Sequence, residues 1–149
     1  MTWQYTDSTN TVVVSADGRQ SRLASVLSPA DLTTVLPAPA PTPEQQYAAA
    51  IAAGCAIVST GTPALDGTYA LDAGSISDIQ SEQAFIAAYT EFSTATPTMA
   101  WPVVGGAVTF PTTTAALAVF KALAQYVTGW KQFAASISTA APSQPVTIT

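Results

Sequence analysis

The chain has 149 residues, of which 48% are hydrophobic and 9% are charged, and its formal net charge is -5. Its four basic residues are too few and too scattered to neutralise the phosphates of a nucleic acid, so direct nucleic-acid binding is not expected. A soluble domain ordinarily has about 25% charged residues, and a surface this poor in charge is typical of a protein that packs against partners or works outside a cell.

The first residues of the chain do not have the pattern of a secretory signal peptide. "MTWQYTD" has neither the basic nor the apolar segment of a secretory signal. The longest mostly apolar run, residues 47–58, is shorter than the roughly 20 residues that a membrane span needs. We therefore expect a soluble protein that is made in a cytoplasm and does not contact a membrane.

The first predicted element is a β-hairpin, because "WQYT" and "TVVV" flank the turn residues "DSTN". A four-residue loop would place Tyr5 opposite Val12. It would also place Trp3 opposite Val14, on the same face of the ribbon. A lone hairpin is only marginally stable in water, so this face needs a second surface, such as another subunit. The predicted interface residues are Trp3, Tyr5, Val12 and Val14, with Trp3 as the best candidate anchor.

An extended spacer is predicted to follow. Asp17-Gly18 is a turn signal, and residues 28–32 are a weak candidate for a short helix. Proline then recurs at every second position over residues 37–43, a pattern typical of semi-rigid polyproline II structure. The sequence therefore predicts an N-terminal hairpin and Pro-rich docking arm over residues 1–41, and an α+β domain over residues 42–149.

The domain is predicted to open with a helix. Thr42 as N-cap, Pro43 at the first position and Gln45 at the third form a capping-box pattern, and Gly54 ends the helix. Two strands should follow, "CAIVST" and "TYALD", with Asp66-Gly67 as the turn signal between them.

A second helix is predicted over residues 75–94, with Asp78 and Glu82 near its start, where acids complement the helix dipole. Its predicted apolar stripe consists of Ile76, Ile79, Ile86 and Tyr89, with Phe85 and Phe92 beside it.

The next segment, "MAWPVVGGAVTF", predicts a hairpin with Gly105-Gly106 as a two-residue loop. Val103 would then face Val108. Trp101 would face Phe110 on the same side of the ribbon.

A long helix should follow over residues 114–137, with an N-cap among residues 112–114. Gly129 within it would allow close approach of another backbone, and "VTIT" at the end of the chain is a candidate short strand. The predicted core face contains Ala116, Val119, Phe120, Leu123, Tyr126, Val127, Trp130, Phe133, Ala134 and Ile137. The opposite, wet face contains Lys121, Gln125, Thr128 and Gln132.

These elements predict an α+β fold, in which a small antiparallel sheet is covered by two or three helices and preceded by an N-terminal β-hairpin arm. The sheet would be built from "CAIVST", "TYALD" and the Trp101 hairpin, and the last helix would cover one of its faces.

The residue inventory argues against an enzyme. The chain has no histidine, which is the commonest general base, and its single cysteine, Cys55, lies in an apolar run and should be a buried hydrophobe. The acids Asp66, Asp72 and Asp78 lack the spacing of a calcium loop and are explained as turn or helix-start residues. We therefore predict no catalytic residue, no metal site and no cofactor.

From Tyr47 onward the chain resembles an uncharacterised domain family of tail and tail-fibre proteins from tailed bacteriophages and prophages. The resemblance is carried by "AAAIAAGCAIVST", "GTYALDAGSISDIQ", "MAWPVVGGAVTF" and "AQYVTGWKQFAASI", which together span roughly the last two-thirds of the chain. The family has no established catalytic residues, so none can be transferred, and residues 1–41 lie outside the resemblance.

The resemblance implies a structural virion protein of a phage tail, tail fibre or collar, made in the host cytoplasm. Its expected partners are other tail or fibre proteins and further copies of itself, reached through the N-terminal arm. The alternative is a fibre-assembly chaperone, which would bind a fibre transiently and be absent from the finished particle.

Overall fold

The structure is a computed structural model, and it describes residues 3–6, 12–15, 20–23, 35–36 and 40–149. Contacts between Cα atoms divide the chain into two compact units, residues 1–41 and residues 42–149. The predicted turn at Asp17-Gly18, the short helix at residues 28–32 and most of the proline spacer lie outside the described residues.

The N-terminal unit contains a four-stranded sheet in the order β3-β2-β1-β4. Its strands are β1 (Trp3–Tyr5), β2 (Val12–Ser15), β3 (Ser21–Leu23) and β4 (Val35–Leu36). β1 and β2 are antiparallel, as the hairpin prediction requires, and β2 and β3 are also antiparallel. β4 pairs with β1 in parallel.

The predicted register of the first hairpin is wrong by one residue. Tyr5 pairs with Val13 and Trp3 pairs with Ser15, and the Thr6 amide donates to the Val12 carbonyl at 3.0 Å. The loop therefore has five residues rather than four. Because side chains alternate along a strand, this shift moves Val12 and its neighbour Val14 to the face opposite Trp3.

The C-terminal unit opens with helix α1 (Pro43–Ala53), and its predicted capping box is confirmed. The Gln45 amide donates to Thr42 Oγ1 at 3.3 Å, and the Thr42 amide donates to Gln45 Oε1 at 2.9 Å. Gly54 ends the helix with φ of +78°, and a Cβ there would lie 2.6 Å from the Tyr69 carbonyl oxygen. Only glycine combines this conformation with so close an approach, so the chain passes directly from α1 into a strand.

A three-stranded sheet forms in the order β6-β5-β9. The central strand β5 (Cys55–Ser59) pairs antiparallel with β6 (Gly67–Tyr69) after a 3₁₀ turn at Pro63–Leu65. The predicted "VTIT" strand is confirmed as β9 (Val146–Ile148), and it pairs with β5 in parallel. The sheet is therefore mixed rather than antiparallel, because its third strand comes from the end of the chain and not from the Trp101 hairpin.

Helix α2 spans Ala73–Tyr89, with Asp72 as its N-cap. It begins two residues before the predicted start, so Asp78 is outside the first turn and the predicted dipole role of Asp78 and Glu82 is wrong. Glu82 is instead buried. Of the predicted stripe, Ile79 and Ile86 are buried, but Tyr89 is 63% exposed.

Strands β7 (Met99–Val103) and β8 (Gly106–Phe110) form a separate two-stranded sheet. Trp101 pairs with Val108, so the loop is Val104-Gly105, and the predicted Gly105-Gly106 loop is wrong. Gly105 supplies the positive φ, +86°, that the turn requires. The predicted pairing is shifted by two residues from the observed one. Because side chains alternate along a strand, a shift of two leaves Trp101 and Phe110 on the same face, as predicted.

Helix α3 spans Thr113–Ala134, with the Thr112 side chain accepting from the Ala115 amide. The predicted wet face is exposed, as expected. The segment that approaches Gly129 closely does so through a side chain and not through the predicted backbone: a Cβ there would lie 2.9 Å from Pro142 Cγ. Ile137 lies beyond the end of the helix and is 76% exposed, so its placement in the core was wrong. The buried residues of α3 are Ala116, Val119, Phe120, Ala122, Leu123, Tyr126 and Trp130.

The α+β fold is confirmed, with three helices and small sheets in the described residues. α3 contacts α1, α2 and the strands β5, β8 and β9, so it lies at the centre of the C-terminal unit. Aromatic rings join it to the Trp101 hairpin: the ring of Phe120 lies 5.0 Å from that of Trp101 and 5.4 Å from that of Phe110.

The junction at Gly54 gives a test of the fold. Gly54→Ala should lower the free energy of unfolding by about 2 kcal/mol, because it combines a strained backbone with a clash against the Tyr69 carbonyl. The matched control is Gly61→Ala, where the nearest atom to an added Cβ is 3.9 Å away. Urea unfolding followed by circular dichroism measures both. Equal stability of the two variants would contradict the assigned role of Gly54.

Candidate assembly surfaces

The predicted interface residues divide between two faces of the N-terminal sheet. Trp3 and Tyr5 share one face with Val13, and there Trp3 is 4% exposed and Val13 fully buried. The Arg22 guanidinium carbon lies 5.8 Å from the centre of the Trp3 ring, a cation–π distance. Trp3 is thus part of a small core, and the structure does not leave it free as an anchor.

The second face of this sheet contains the remaining predicted residues. Val12 and Val14 are half-buried there, and Leu23 pairs with Val12 and is 56% exposed. We call Val12, Val14 and Leu23 the valine face. Sequence reasoning missed Leu23, because it lies on a strand that was not predicted. The role of this face, or of Trp3 and Tyr5, in assembly stays a prediction.

The chemically reactive side chains of the C-terminal unit are engaged in structural contacts. Cys55 is fully buried, and burial raises the pKa of its thiol to about 11. Burial, together with the nearby charge of Asp66, also raises the pKa of Tyr69, whose hydroxyl donates to the Leu65 carbonyl at 2.9 Å. Asp66 Oδ1 accepts from the Ser59 amide at 2.7 Å.

Two further carboxylates organise the ends of α2. Asp72 accepts from both the hydroxyl and the amide of Ser75, at 2.7 and 3.0 Å, and these bonds lower the pKa of Asp72. Glu82 is 6% exposed and accepts from the amide and hydroxyl of Ser93, at 3.0 and 2.5 Å. Glu82 therefore ties the chain that follows α2 back to the helix.

No metal-binding group of three or more His, Cys, Asp and Glu side chains occurs among the residues that the structure describes. In the same part of the chain, no helix has the length and apolar character needed to cross a membrane.

Residues 142–148, which we call the strap, run along the C-terminal unit. The side chain of Gln144 binds two backbone groups: its Oε1 accepts from the Ala56 amide at 3.1 Å, and its Nε2 donates to the Gly54 carbonyl at 2.9 Å. Nε2 also donates to the Tyr126 hydroxyl. Pro142 lies against Gly129 of α3, and β9 adds a third strand beside β5. One side chain thus joins the start of β5, the helix α3 and the strap.

A groove of about 170 Å³ lies between α2 and α3. Its walls include Ile76 and Ile79 of α2 and Leu123 and Val127 of α3, with Lys131 among the polar residues that line it. Gln80, Gln83 and Thr128 also line the groove, so its surface is part apolar and part polar. It brings together parts of both predicted apolar helix faces.

Comparison of the chain with protein-family models, curated proteins and solved structures finds no match. The resemblance to phage tail and tail-fibre domains therefore stays a prediction from the sequence.

The contacts of Gln144 give a second test. Gln144→Ala should lower the free energy of unfolding by about 1–2 kcal/mol, because the Ala56 amide and the Gly54 carbonyl lose their side-chain partner. A cycle with Tyr126→Phe should show coupling between the two changes, since they remove the same hydrogen bond. Gln125→Ala, on the wet face of α3, is the control and should have little effect. Strictly additive changes in urea unfolding would contradict the contact.

The pKa of Cys55 gives a third test. A thiolate is the reactive form, and an exposed thiol has a pKa of about 8.5. Because folding raises the pKa, the stability linked to this thiol is fully present below about pH 8.5 and is lost as the pH rises through about 11. Iodoacetamide at pH 8 should label the native chain far more slowly than the chain in urea. Equal labelling rates would show that Cys55 is accessible.

Proposed function

We propose that this chain is a structural subunit of a bacteriophage virion, in its tail, tail fibre or collar, and that it docks on neighbouring subunits through residues 1–41. The observation that supports the proposal best is the division of the chain. A compact α+β unit follows a strand-bearing N-terminal unit with a partly exposed apolar face. The virion context comes from the predicted resemblance of the sequence from Tyr47 onward to tail and tail-fibre domains.

The valine face is the better candidate for the docking surface. The opposite face is already covered, since Trp3 and Val13 are buried. Val12 and Val14 are only half-buried, and Leu23 exposes more than half of its surface. An apolar sheet face of this kind is stabilised when a second protein surface covers it. The expected partners are neighbouring tail or fibre proteins and further copies of the same chain.

The titratable groups of the C-terminal unit support a structural role. Asp66, Asp72 and Glu82 each accept hydrogen bonds from nearby backbone or hydroxyl groups that order a turn or a helix end. Burial raises the pKa of Cys55 and of Tyr69 and so disfavours their ionised, nucleophilic forms further. These contacts stabilise the unit.

A fibre-assembly chaperone is the second candidate, and the groove between α2 and α3 favours it. Its apolar residues Ile76 and Val127 are only half-buried, and they lie beside polar residues, a mixed surface that suits transient binding of a fibre segment. A chaperone would be present in infected cells and absent from finished particles.

The experiment that separates these candidates is peptide mass spectrometry of gradient-purified phage particles. Trypsin leaves a long fragment from Leu23 to Lys121, so chymotrypsin is needed as a second protease. We expect the chain in particles at a fixed stoichiometry. Its presence only in the lysate of infected cells would favour the chaperone, and its absence from phage-producing cells would refute both.

Removal of residues 1–41 gives the fourth test. The remaining chain should keep the circular dichroism and cooperative unfolding of a folded domain, because its core consists of residues of its own unit. It should fail to enter particles, because the proposed docking arm is missing. A truncated chain that still enters particles would contradict docking through the arm.

A matched pair of point variants locates the docking surface more finely. Leu23→Ser changes the valine face, and Val104→Ser changes an exposed side chain of the C-terminal unit, at 56% and 64% exposure respectively. Only Leu23→Ser should reduce incorporation. Equal incorporation of both variants would place the docking surface elsewhere.

A further inference from the structure

The strap is bound as a separate peptide would be. Its partners lie far away in sequence: the Gly54 carbonyl and the Ala56 amide bind Gln144, and the Thr60 amide donates to the Ile148 carbonyl at 2.9 Å. The addition of an extended segment to the edge of a sheet is a recurrent mode of peptide recognition, in which backbone bonds give affinity and alternate side chains give specificity.

Every second residue of the strap, from Pro142 to Ile148, contacts a different part of the C-terminal unit. Pro142 lies over Gly129, where any larger residue would collide with it. Gln144 makes the hydrogen bonds described above, and Val146 and Ile148 pack against the main hydrophobic core. The site on the C-terminal unit therefore matches the strap at four alternate residues, and every copy of the chain carries both the site and the segment.

The connection between α3 and the strap contains a strained residue. Ser136 has φ of +57°, in the left-handed region that costs free energy for residues other than glycine. Its amide donates to the Phe133 carbonyl at 3.0 Å, and the Ile137 amide donates to the Gln132 carbonyl at 2.8 Å, so the chain turns sharply here. None of residues 135–141 is buried. Opening this turn would exchange these backbone hydrogen bonds for bonds to water, would lose little packing and would release the strain at Ser136.

We propose that the strap exchanges between copies, so that the strap of one copy occupies the β5 edge of a second copy. All contacts of the strap are kept in the exchanged form, and only the turn at residues 135–141 changes. A short, strained connection to an otherwise complete segment is the arrangement that promotes domain swapping. The partner is a second copy of this chain, because every copy carries the proline, glutamine and apolar residues that match the site. The inference does not rest on the proposed virion function.

Cysteine pairing between two different copies tests the exchange. Val58 and Thr147 are directly paired across β5 and β9, and both are exposed. One copy carries Val58→Cys and the other, with a tag of different mass, carries Thr147→Cys, both in a Cys55→Ala background. The copies are mixed at high concentration in the urea at which unfolding begins, returned to buffer and oxidised. The strap of one copy must reach β5 of the other for the mixed disulfide to form.

We expect a mixed disulfide several-fold above that formed between Val58→Cys and a Gln125→Cys copy, whose cysteine lies on the wet face of α3. The double variant Val58→Cys/Thr147→Cys, diluted before oxidation, reports the disulfide within one copy. Closure of that disulfide without a mixed disulfide above the control would overturn the proposal.

Variants of Ser136 give an independent readout that does not need a disulfide. Ser136→Val should raise the fraction of dimer in light scattering, because a β-branched residue disfavours the left-handed turn. Ser136→Gly should lower that fraction, because glycine adopts this conformation without strain. Folding of each variant is checked by circular dichroism. A dimer fraction that is the same in both variants, or that changes in the opposite order, would overturn the proposal.

Discussion

Burial of the apolar face of α3 is the interaction on which the C-terminal unit depends. Val119, Phe120 and Leu123 are essentially inaccessible to solvent. The other elements are arranged around this face: α1 and α2 pack against it, and strands β5, β8 and β9 contact it. An isolated helix of this kind would be marginal in water, so packing rather than helix propensity stabilises it. The helix also carries Tyr126 and Gly129, the two residues to which the strap attaches.

The sequence predicted best where the structure depends on local pattern. The capping box at Thr42, the helix end at Gly54 and the N-cap at Thr112 are set by residues within one turn, and all three are confirmed. The core and wet faces of α3 follow from its periodicity. Periodicity did not predict where the helix ends, because the apolar spacing continues to Ile137 while the helix ends at Ala134.

The two hairpins show why strand register was predicted less well. In both, the turn residues allow more than one loop, and the pairing of side chains across the strands decides between them. In the first hairpin the error was one residue, which exchanged the faces of Val12 and Val13. In the second it was two residues, which left Trp101 and Phe110 on the predicted face. A register error therefore moves side chains to the other face of the sheet only when the shift is an odd number of residues.

No local sequence pattern predicted where the strap binds. Its strand was predicted from "VTIT", but its position beside β5 brings together residues about ninety apart in the chain. Gln144 is one of several glutamines, and nothing in its neighbours distinguishes it. Glu82 is a similar case, because the residue that binds it, Ser93, comes after the end of α2. Such contacts depend on how helices pack, and periodicity does not specify them.

The chain has few charged residues, and several of its structural contacts are made by neutral polar side chains. Two of the three helices begin at the neutral caps Thr42 and Thr112, and the strap is bound through the neutral amide of Gln144. Neutral hydrogen bonds and apolar packing are weakened far less by salt than exposed ion pairs are, since ions screen only charge. The valine face and the strap site are both of this neutral kind. Association through either surface would therefore depend on shape and concentration and very little on ionic strength, which distinguishes it from association steered by charge.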